Sequence, residues 1–343
     1  MSQLFPTVPA DAWAPFRQRY PELFSGRDTW HNHYGCYLLR SQGRTILVDT
    51  GIGSKATNPG MVNTLTGGID GRLLAELHAA GVSPEEVDTV FFTHLHPDHV
   101  GWNLSQEGAN PRPTFPRARY VVHQTDWATF KQPEVQAALP FPYWKETLGP
   151  LETLGVLDLL TGEHALTSEI TAIPTPGHMS LAIVSGGQRA LIIGDVAIHP
   201  AQVTETDWSA LFDMDQQLAA QVRRQVLDRV EAEHTTLVAC HFLSLVSGTW
   251  CAWRGVATGR ACRSIQWGLL RGSFEARCND GEGAFALGVT FAELGGIEIK
   301  QCQGLLQNRE RFLTPGTGSA WALSSPLLWQ RLCCRAARAR WTR

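Results

Sequence analysis

Short apolar runs separated by turn-rich links dominate the first 242 residues of the chain. Residues 35–40 and 45–49 predict the two strands of a hairpin, because the intervening Ser41-Gln-Gly-Arg segment is rich in turn formers. Equally short apolar runs predict further strands at residues 87–92, 118–123, 170–174, 181–184, 190–193 and 237–240.

A second pattern, with apolar residues three or four positions apart, predicts helices between these strands. Leu73, Leu74 and Leu77 follow this spacing, as do the apolar residues of a longer segment at 214–233. Ser83-Pro-Glu-Glu predicts a short capped turn, and two more helices are expected at 125–130 and 143–151. Strands in pairs with single helices between them favour an α+β protein with two covered sheets over a doubly wound parallel sheet.

Composition narrows the partners that we expect. The chain has a net charge of −3, with 43% hydrophobic and 18% charged residues, which is typical of a globular protein. This charge offers no general attraction for nucleic acid or anionic lipid. We find neither a secretory signal at the N-terminus nor an apolar stretch long enough to span a membrane, so we expect a cytoplasmic protein that acts on a small molecule, without nucleic-acid or membrane partners.

Composition changes abruptly near residue 243. All 12 histidines lie at or before His241, and acidic residues outnumber basic ones up to residue 242, whereas basic residues dominate 243–343. We therefore divide the chain into an N-terminal arm at 1–33, a main domain at 34–242 and an atypical Cys/Arg/Trp-rich extension at 243–343. Three interpretations of the extension stay open: a small accessory domain, a disordered basic segment, or residues translated out of frame.

The strongest chemical signal is the run Thr93-His94-Leu95-His96-Pro97-Asp98-His99, which directly follows a predicted strand. Four potential metal ligands in six positions cannot all pack in an apolar core without partners. Alternation places His94 and His96 on one side of an extended segment, where they can hold one ion, while Asp98 and His99 can turn toward a second. Imidazole and carboxylate ligands suit zinc, iron, manganese or cobalt.

Three later residues repeat this pattern of a ligand just beyond an apolar strand. They are His178 after Pro176-Gly177, Asp195 after Ile193-Gly194, and His241 after Ala239-Cys240. A carboxylate at the position of Asp195 could bridge two cations.

Together with Asp49 in Val-Asp-Thr-Gly, these motifs resemble, in order, the five motifs of the metallo-β-lactamase superfamily over residues 34–242. The resemblance implies a four-layer αβ/βα sandwich with the site at the edge between two sheets. It implies that one metal is held by His94, His96 and His178, that the other is held by Asp98, His99 and His241, that Asp195 bridges them, and that Asp49 orients ligands. The segments around the histidine run and at 32–39 are most similar to the group of acyl-homoserine lactonases and methyl parathion hydrolase.

The chemistry expected of such a site is hydrolysis. Two divalent cations, most simply zinc, can bring a shared water near neutral pKa when they are about 3.5–4 Å apart. We expect the resulting bridging hydroxide to attack a lactone or ester, or a phosphotriester, with Asp98 accepting or relaying the proton. Two alternatives stay open: an iron-dependent sulfur dioxygenase with one iron, and an inactive metal-binding protein with a damaged C-terminus.

Other residues carry weaker signals. His199 and His123 are expected to be supporting or surface histidines rather than ligands. The aromatic N-terminal arm could pack across a homodimer. An apolar substrate pocket could be formed by aromatic side chains, for which the candidates are Trp102, Phe141, Tyr143, Trp144, Trp208 and Phe212.

Overall fold

The computed structural model describes residues 1, 3–26, 28–30, 32–107, 110–138 and 141–242, and the backbone of five strands after residue 246. In chain order the strands are β1 (His33–Ser41), β2 (Arg44–Val48), β3 (Thr89–Phe91), β4 (Leu104–Glu107), β5 (Asn110–Pro113), β6 (Arg119–His123), β7 (Leu157–Leu160), β8 (His164–Ala165), β9 (Ile170–Thr175), β10 (His178–Ser185), β11 (Gln188–Ile192), β12 (Thr236–Val238), β13 (Ser247–Thr249), β14 (Gln266–Gly268), β15 (Ser273–Cys278), β16 (Phe285–Leu294) and β17 (Ile297–Leu305). All the strands predicted above are confirmed, with bounds shifted by a few residues, whereas β4, β5, β7, β8 and the five strands from β13 to β17 were not predicted.

In chain order the helices are α1 (Ala14–Arg19), α2 (Pro59–Thr66), α3 (Leu73–Ala79), α4 (Gln124–Phe130), α5 (Pro133–Ala137), α6 (Gly149–Thr153) and α7 (Gln216–Ala232). The helices predicted near residue 73, at 125–130 and at 214–233 are confirmed, whereas α1, α2 and α5 were not predicted. The segment predicted as a helix at 143–151 is instead a π-helical turn, Trp144–Leu148, that runs into α6. Ser83-Pro-Glu-Glu forms the expected capping box, in which Ser83 and Glu86 satisfy each other's backbone N–H groups.

The described strands form two large sheets and two two-stranded ones, β4-β5 and β13-β14. The larger of the two large sheets has the order β15-β16-β17-β1-β2-β3-β6-β7, and the other large sheet has the order β12-β11-β10-β9-β8. The β1–β2 hairpin is antiparallel, whereas β3, β6 and β7 are added in parallel. Helices lie in the connections from β2 to β3 and from β6 to β7, and the β4–β5 hairpin lies between β3 and β6. The prediction of two sheets rather than one doubly wound sheet is therefore confirmed.

Successive side chains of β1 point alternately into two different cores, and this alternation explains the layers of the fold. Tyr37 and Leu39 point into the core between the two sheets, where they join Leu181 and Ile192. Cys36 and Leu38 point the other way, into the core beneath α2, α3 and α4. Helix α7 covers the outer face of the second sheet through Val222, Val226 and Val230. The result is the four-layer αβ/βα sandwich implied by the resemblance.

The N-terminal arm packs on its own chain, against the loops that follow β11. Phe5, Trp13 and Phe16 are buried together with Ala201 and Ala210. The Trp13 ring lies 4.7 Å from the ring of Trp208. Because Phe5, Trp13 and Phe16 are buried against their own chain, the arm does not support the expected homodimer.

Strands after residue 246 extend the larger sheet. Strand β17 pairs antiparallel with β1 from His33↔Leu305 to Arg40↔Glu298, and β16 and β15 follow outward. The rest of 243–343 lies outside the described residues, so the three interpretations of the extension stay predictions. Among the helices that the structure describes, none is both long and apolar enough to cross a membrane.

Candidate metal centre

The histidine run lies in the loop after β3, at the edge of the sandwich. A 3₁₀ turn, Pro97–His99, reverses the chain within the run. The loop is then fixed to the loop after β2, because Gly101 N–H donates to the Gly51 carbonyl over 2.6 Å. A Cβ on Gly101 would lie 2.0 Å from the backbone of Ile52, so this close approach requires glycine.

The first group of ligand atoms surrounds Asp195. The ligand atoms of His94, His96 and Asp195 lie within 4.8 Å of one another. His94 Nε2 is 3.4 Å from Asp195 Oδ2 and 2.9 Å from His96 Nδ1. The ring of His178 lies 4.6 Å from that of His94, which brings the fourth predicted residue to the same place.

The second group lies on the other side of the same carboxylate. It consists of Asp98, His99 and His241, again with ligand atoms within 4.8 Å. Asp98 Oδ2 is 3.6 Å from His99 Nε2 and 3.5 Å from His241 Nε2. Asp195 Oδ1 is 3.4 Å from His99 Nε2 and 3.2 Å from His241 Nε2. His241 Nε2 is also 3.2 Å from Asp195 Oδ2, the oxygen that lies beside His94, so the Asp195 carboxylate lies between the two groups.

The outer nitrogens of two histidines are held by neighbouring groups. Nδ1 of His99 lies 2.8 Å from Asp49 Oδ2, and Asp49 also accepts hydrogen bonds from the backbone N–H and hydroxyl of Thr93. Nδ1 of His241 lies 2.5 Å from the His33 carbonyl. These contacts leave Nε2 of both rings directed at the centre, which is how metal-binding histidines are commonly oriented.

A third cluster, Asp49, His99 and Cys240, has ligand-type atoms equally close together. We assign it to hydrogen bonding rather than to a metal. The Cys240 thiol lies 3.5 Å from Asp49 Oδ2, and burial raises the pKa of this thiol, so it stays protonated as a donor. The Asp49 carboxylate is already shared between Thr93 and His99.

Burial and charge divide the histidines into two kinds. Burial lowers the pKa of His94 and His96, and it lowers the pKa of His178 to about 4, so these imidazoles are neutral near pH 7. Burial also disfavours the charged form of His99, but Asp195, Asp98 and Asp49 outweigh it and raise its pKa well above the usual value. Concentrated carboxylate charge of this kind attracts a cation.

Two atoms at the centre test whether the donors fit a metal. His99 Nε2 and Asp195 Oδ1 are buried and make no hydrogen bond with any described group. Buried polar atoms without partners are costly, and a cation between them would satisfy both. The donor set of imidazole nitrogen and carboxylate oxygen fits zinc and other first-row divalent ions.

The two weaker histidine candidates lie elsewhere. His199 is buried in the arm's aromatic cluster, stacked on Trp30 at 4.6 Å, and its Nδ1 accepts a hydrogen bond from Ala201 N–H. His123 caps α4 by accepting from Thr125 N–H. Neither belongs to a ligand group among the described residues, and both are buried rather than at the surface.

The six aromatic residues proposed for a substrate pocket lie in different parts of the fold, and the pocket stays a prediction. Phe141 and Tyr143 are buried in the core, and Trp208 packs in the arm cluster. Trp102 and Trp144 are partly buried against the same core. Of the six aromatics proposed for the pocket, Phe212 has a ring contact with a site residue, lying 6.2 Å from His96.

Two residues beside the centre were missed. The ring of Phe130, on α4, lies 5.8 Å from His96, and the ring of Tyr34, on β1, lies 5.7 Å from His241. Periodicity had placed Phe130 on a helix, but its neighbour across the loop could be known only from the fold. Burial, with further contributions from Asp98 and Asp195, raises the pKa of Tyr34, so its phenol is neutral.

A four-layer αβ/βα sandwich with histidine and aspartate ligands gathered at one edge defines a class of metal-site proteins. Residues 35–241, more than half of the chain, match the model of the metallo-beta-lactamase superfamily. The chain belongs to this superfamily.

Among characterised relatives, the N-acyl homoserine lactonase AiiA of Bacillus thuringiensis subsp. kurstaki is 28% identical over 169 residues. The match covers 46% of this chain and 57% of the lactonase, so the chain spans little more than half the length of the relatives that it matches.

Solved structures show the same fold. A probable metal-dependent hydrolase from Staphylococcus aureus is similar with a TM-score of 0.59 at 19% identity, covering 70% of this chain and 83% of that chain. The dizinc quorum-quenching lactonase AidC is similar with a TM-score of 0.58 at 18% identity, covering 78% of this chain and 88% of that chain. At these identities the likeness supports the fold alone.

Proposed function

We propose that the chain is a metal-dependent hydrolase that cleaves a lactone or ester bond at a site for two divalent cations. The observation that carries this proposal is the position of Asp195, which directs one carboxylate oxygen toward His94 and the other toward His99. A single-metal site would not need a carboxylate between two complete ligand groups.

The assignment of ligands follows the two groups. His94, His96 and His178 would hold one cation, Asp98, His99 and His241 would hold the other, and Asp195 would be shared between them. Zinc is our first choice because the ligands are nitrogen and carboxylate oxygen. When bound, two such cations polarise a carbonyl and bring a water near neutral pKa.

The protein's own contribution begins with Asp98. Its side chain is 17% exposed, more than that of any other carboxylate at the centre, so it lies on the side from which a substrate would enter. Hydrolysis breaks the acyl carbon–oxygen bond, joins the water oxygen to the acyl carbon and transfers one water proton to the leaving oxygen. We assign to Asp98 the acceptance of that proton and its delivery to the leaving group.

The choice of a carbonyl substrate rests on relatives. The characterised proteins that the chain matches at 25–28% identity are N-acyl homoserine lactonases. A fold hosts many chemistries, so phosphotriesters belong in the same set of test substrates.

The first experiment measures the metals that the purified protein retains, by inductively coupled plasma mass spectrometry, and its activity on lactones, esters and phosphotriesters. We expect close to two equivalents of zinc or a similar divalent ion, and lactone or ester hydrolysis. His241→Ala should lower both, whereas His164→Ala, at an exposed position on β8, is the matched control. One equivalent of iron without hydrolysis would contradict the proposal and favour the sulfur dioxygenase.

A further inference from the structure

Phe212 is an exposed aromatic side chain beside the candidate metal centre. It lies in the loop before α7, and its side chain is 57% exposed although Ser209 and Ala210 just before it are buried. Its ring centroid is 6.2 Å from that of His96, with the planes at 56°. The ring of Phe130, which is buried, also lies 5.8 Å from His96. One of the proposed ligands thus has a buried and an exposed aromatic ring beside it.

The loop that carries Phe212 is fixed on both sides of this residue. Leu211 N–H donates to the Leu4 carbonyl over 2.7 Å, which ties the loop to the N-terminal arm. Ala210 and Asp213 close the turn, since Ala210 N–H donates to Asp213 Oδ2 and Asp213 N–H donates to the Ala210 carbonyl. A mobile exposed phenylalanine would lose conformational entropy when it bound a ligand, whereas a fixed one loses less.

A buried arginine, Arg223, also holds the loop that carries Phe212. The Arg223 side chain, on α7, is 1% exposed and forms an ion pair of 3.2 Å with Asp213. Its guanidinium also donates to the carbonyls of Thr206 and Trp208, over 2.7 and 2.8 Å. Its Nε donates over 2.7 Å to the Val196 carbonyl.

This last contact links the loop to the metal centre. Val196 directly follows Asp195 and lies in the same 3₁₀ turn, Gly194–Val196. One guanidinium therefore sets the position of the Phe212 loop relative to the turn that carries the proposed bridging ligand. A planar group with five N–H donors can make all these contacts at once, which lysine cannot.

A contribution to the stability of the fold does not by itself explain the buried ion pair of Arg223 and Asp213. Burial lowers the pKa of Arg223 and raises the pKa of Asp213, even though each charge favours the other. Taking both groups out of water is thus not fully offset by their attraction, as is common for buried ion pairs. The arrangement is better explained by the geometry that it imposes on the loop.

We infer that Phe212 contacts the apolar group of the substrate, and that Arg223 is the positioning residue that holds Phe212 beside His96. The inference rests on the proposed hydrolase and names its substrate class: esters or lactones whose acyl part carries an extended alkyl or an aryl group. A charged acyl group placed against the exposed ring of Phe212 would lose solvation without gaining a partner.

The direct test is binding, which does not depend on turnover. Straight-chain carboxylates of increasing length are titrated into the zinc-loaded protein by isothermal titration calorimetry. We expect affinity to rise with chain length in the unsubstituted protein, and Phe212→Ala to weaken the longest chain about tenfold while leaving the shortest unchanged. Phe212→Leu should retain most of the increase in affinity with chain length. Leu159→Ala, which removes an exposed apolar side chain on β7, is the control. Equal chain-length dependence in F212A and the unsubstituted protein would overturn the inference.

Kinetics separate this inference from the proposed function. With esters of the same chain lengths, F212A should raise KM for the longest chain about tenfold and should raise KM for the shortest ester much less. Absence of hydrolysis in the unsubstituted protein would refute the proposed function, and the binding series would still decide the role of Phe212.

Asp213 tests the positioning role with less risk to folding than a change of Arg223. Asp213→Asn keeps the size of the side chain but removes the ion pair. We expect it to reduce about threefold the gain in affinity from the shortest to the longest carboxylate. Asp207→Asn is the matched control, since Asp207 lies in the same loop but pairs at the surface with the neighbouring Arg224. A D213N protein with a lower Tm but an unchanged chain-length series would show a merely structural pair and contradict the assignment to Arg223.

Discussion

Asp49 Oδ2 lies 2.8 Å from Nδ1 of His99, at the end of strand β2 and behind the candidate metal centre. Asp49 adopts a positive φ of 59°, a strained conformation for a residue with a side chain. Hydrogen bonds from Thr93 hold the carboxylate in this position. The consequence is that His99 presents Nε2, and not Nδ1, to the centre.

The first prediction concerns this contact. Asp49→Asn removes the charge that favours Nδ1–H on His99, so it should weaken zinc at the group of Asp98, His99 and His241 by about 10–100-fold. Competition with a chromogenic chelator measures the change. Asp158→Asn, at an exposed ion pair with Arg119, serves as the control. Two equally tight zinc ions in the D49N protein would show that Asp49 does not orient His99.

The gathering of the candidate ligands could be predicted from sequence because each follows directly on an apolar strand. His94 to His99 follow a strand that a short apolar run identifies, and His178, Asp195 and His241 each follow another. Parallel and adjacent strands end at a common edge, so residues just beyond several strands come together. The two sheets were predictable for the same reason, from strand pairs and helices in order.

The features of the fold and site that were not predicted from sequence depend on contacts between segments that are distant in the chain. Phe130 and Phe212 lie 82 positions apart, yet both contact the ring of His96. Arg223 looks like a surface residue of an amphipathic helix, and nothing local distinguishes it from the exposed Arg224 next to it. The aromatic residues of the N-terminal arm predict that the arm is buried, but they do not predict which surface buries it. The arm was therefore expected at a dimer interface.

The second prediction concerns the core between the sheets. Leu181 on β10 is fully buried between the larger sheet and the second one, so Leu181→Ala should lower the free energy of unfolding by about 2–5 kcal/mol. Urea denaturation measures this loss. Leu159→Ala, at a residue with 45% exposure, should change it by less than about 0.5 kcal/mol. Similar losses for both variants would contradict the layered packing.

The third prediction concerns metal removal. Ligand binding to the folded state raises the free energy of unfolding by about 4 kcal/mol when free metal is a thousandfold above its Kd. Dialysis against a chelator should therefore lower the Tm, and added zinc should restore it. His241→Ala, which removes one ligand, should reduce the restoring effect, whereas His164→Ala should not. A Tm that neither the chelator nor added zinc changes would argue against a metal centre.

The last prediction concerns pH and His199, which lies outside the metal centre. Burial among Trp13, Trp30 and Phe24 lowers its pKa from 6.5 to about 3. Between these values the unfolded chain binds a proton at this residue and the folded protein does not. Stability that is present above pH 6.5 should therefore be lost as the pH falls toward 3, with a slope of about 1.4 kcal/mol per pH unit from this residue.

His199→Asn isolates this effect, because an asparagine side chain can still accept the hydrogen bond from Ala201 N–H but does not titrate. We expect the slope of unfolding free energy against pH, measured by urea denaturation between pH 6 and about 4, to decrease by about 1 kcal/mol per pH unit in this variant. His164→Asn, at an exposed position, is the control. An identical slope in H199N and the unsubstituted protein would mean that His199 is charged in the folded state. The aromatic cluster would then have to open to water at low pH, and the N-terminal arm would be less firmly packed than the contacts of Trp13 indicate.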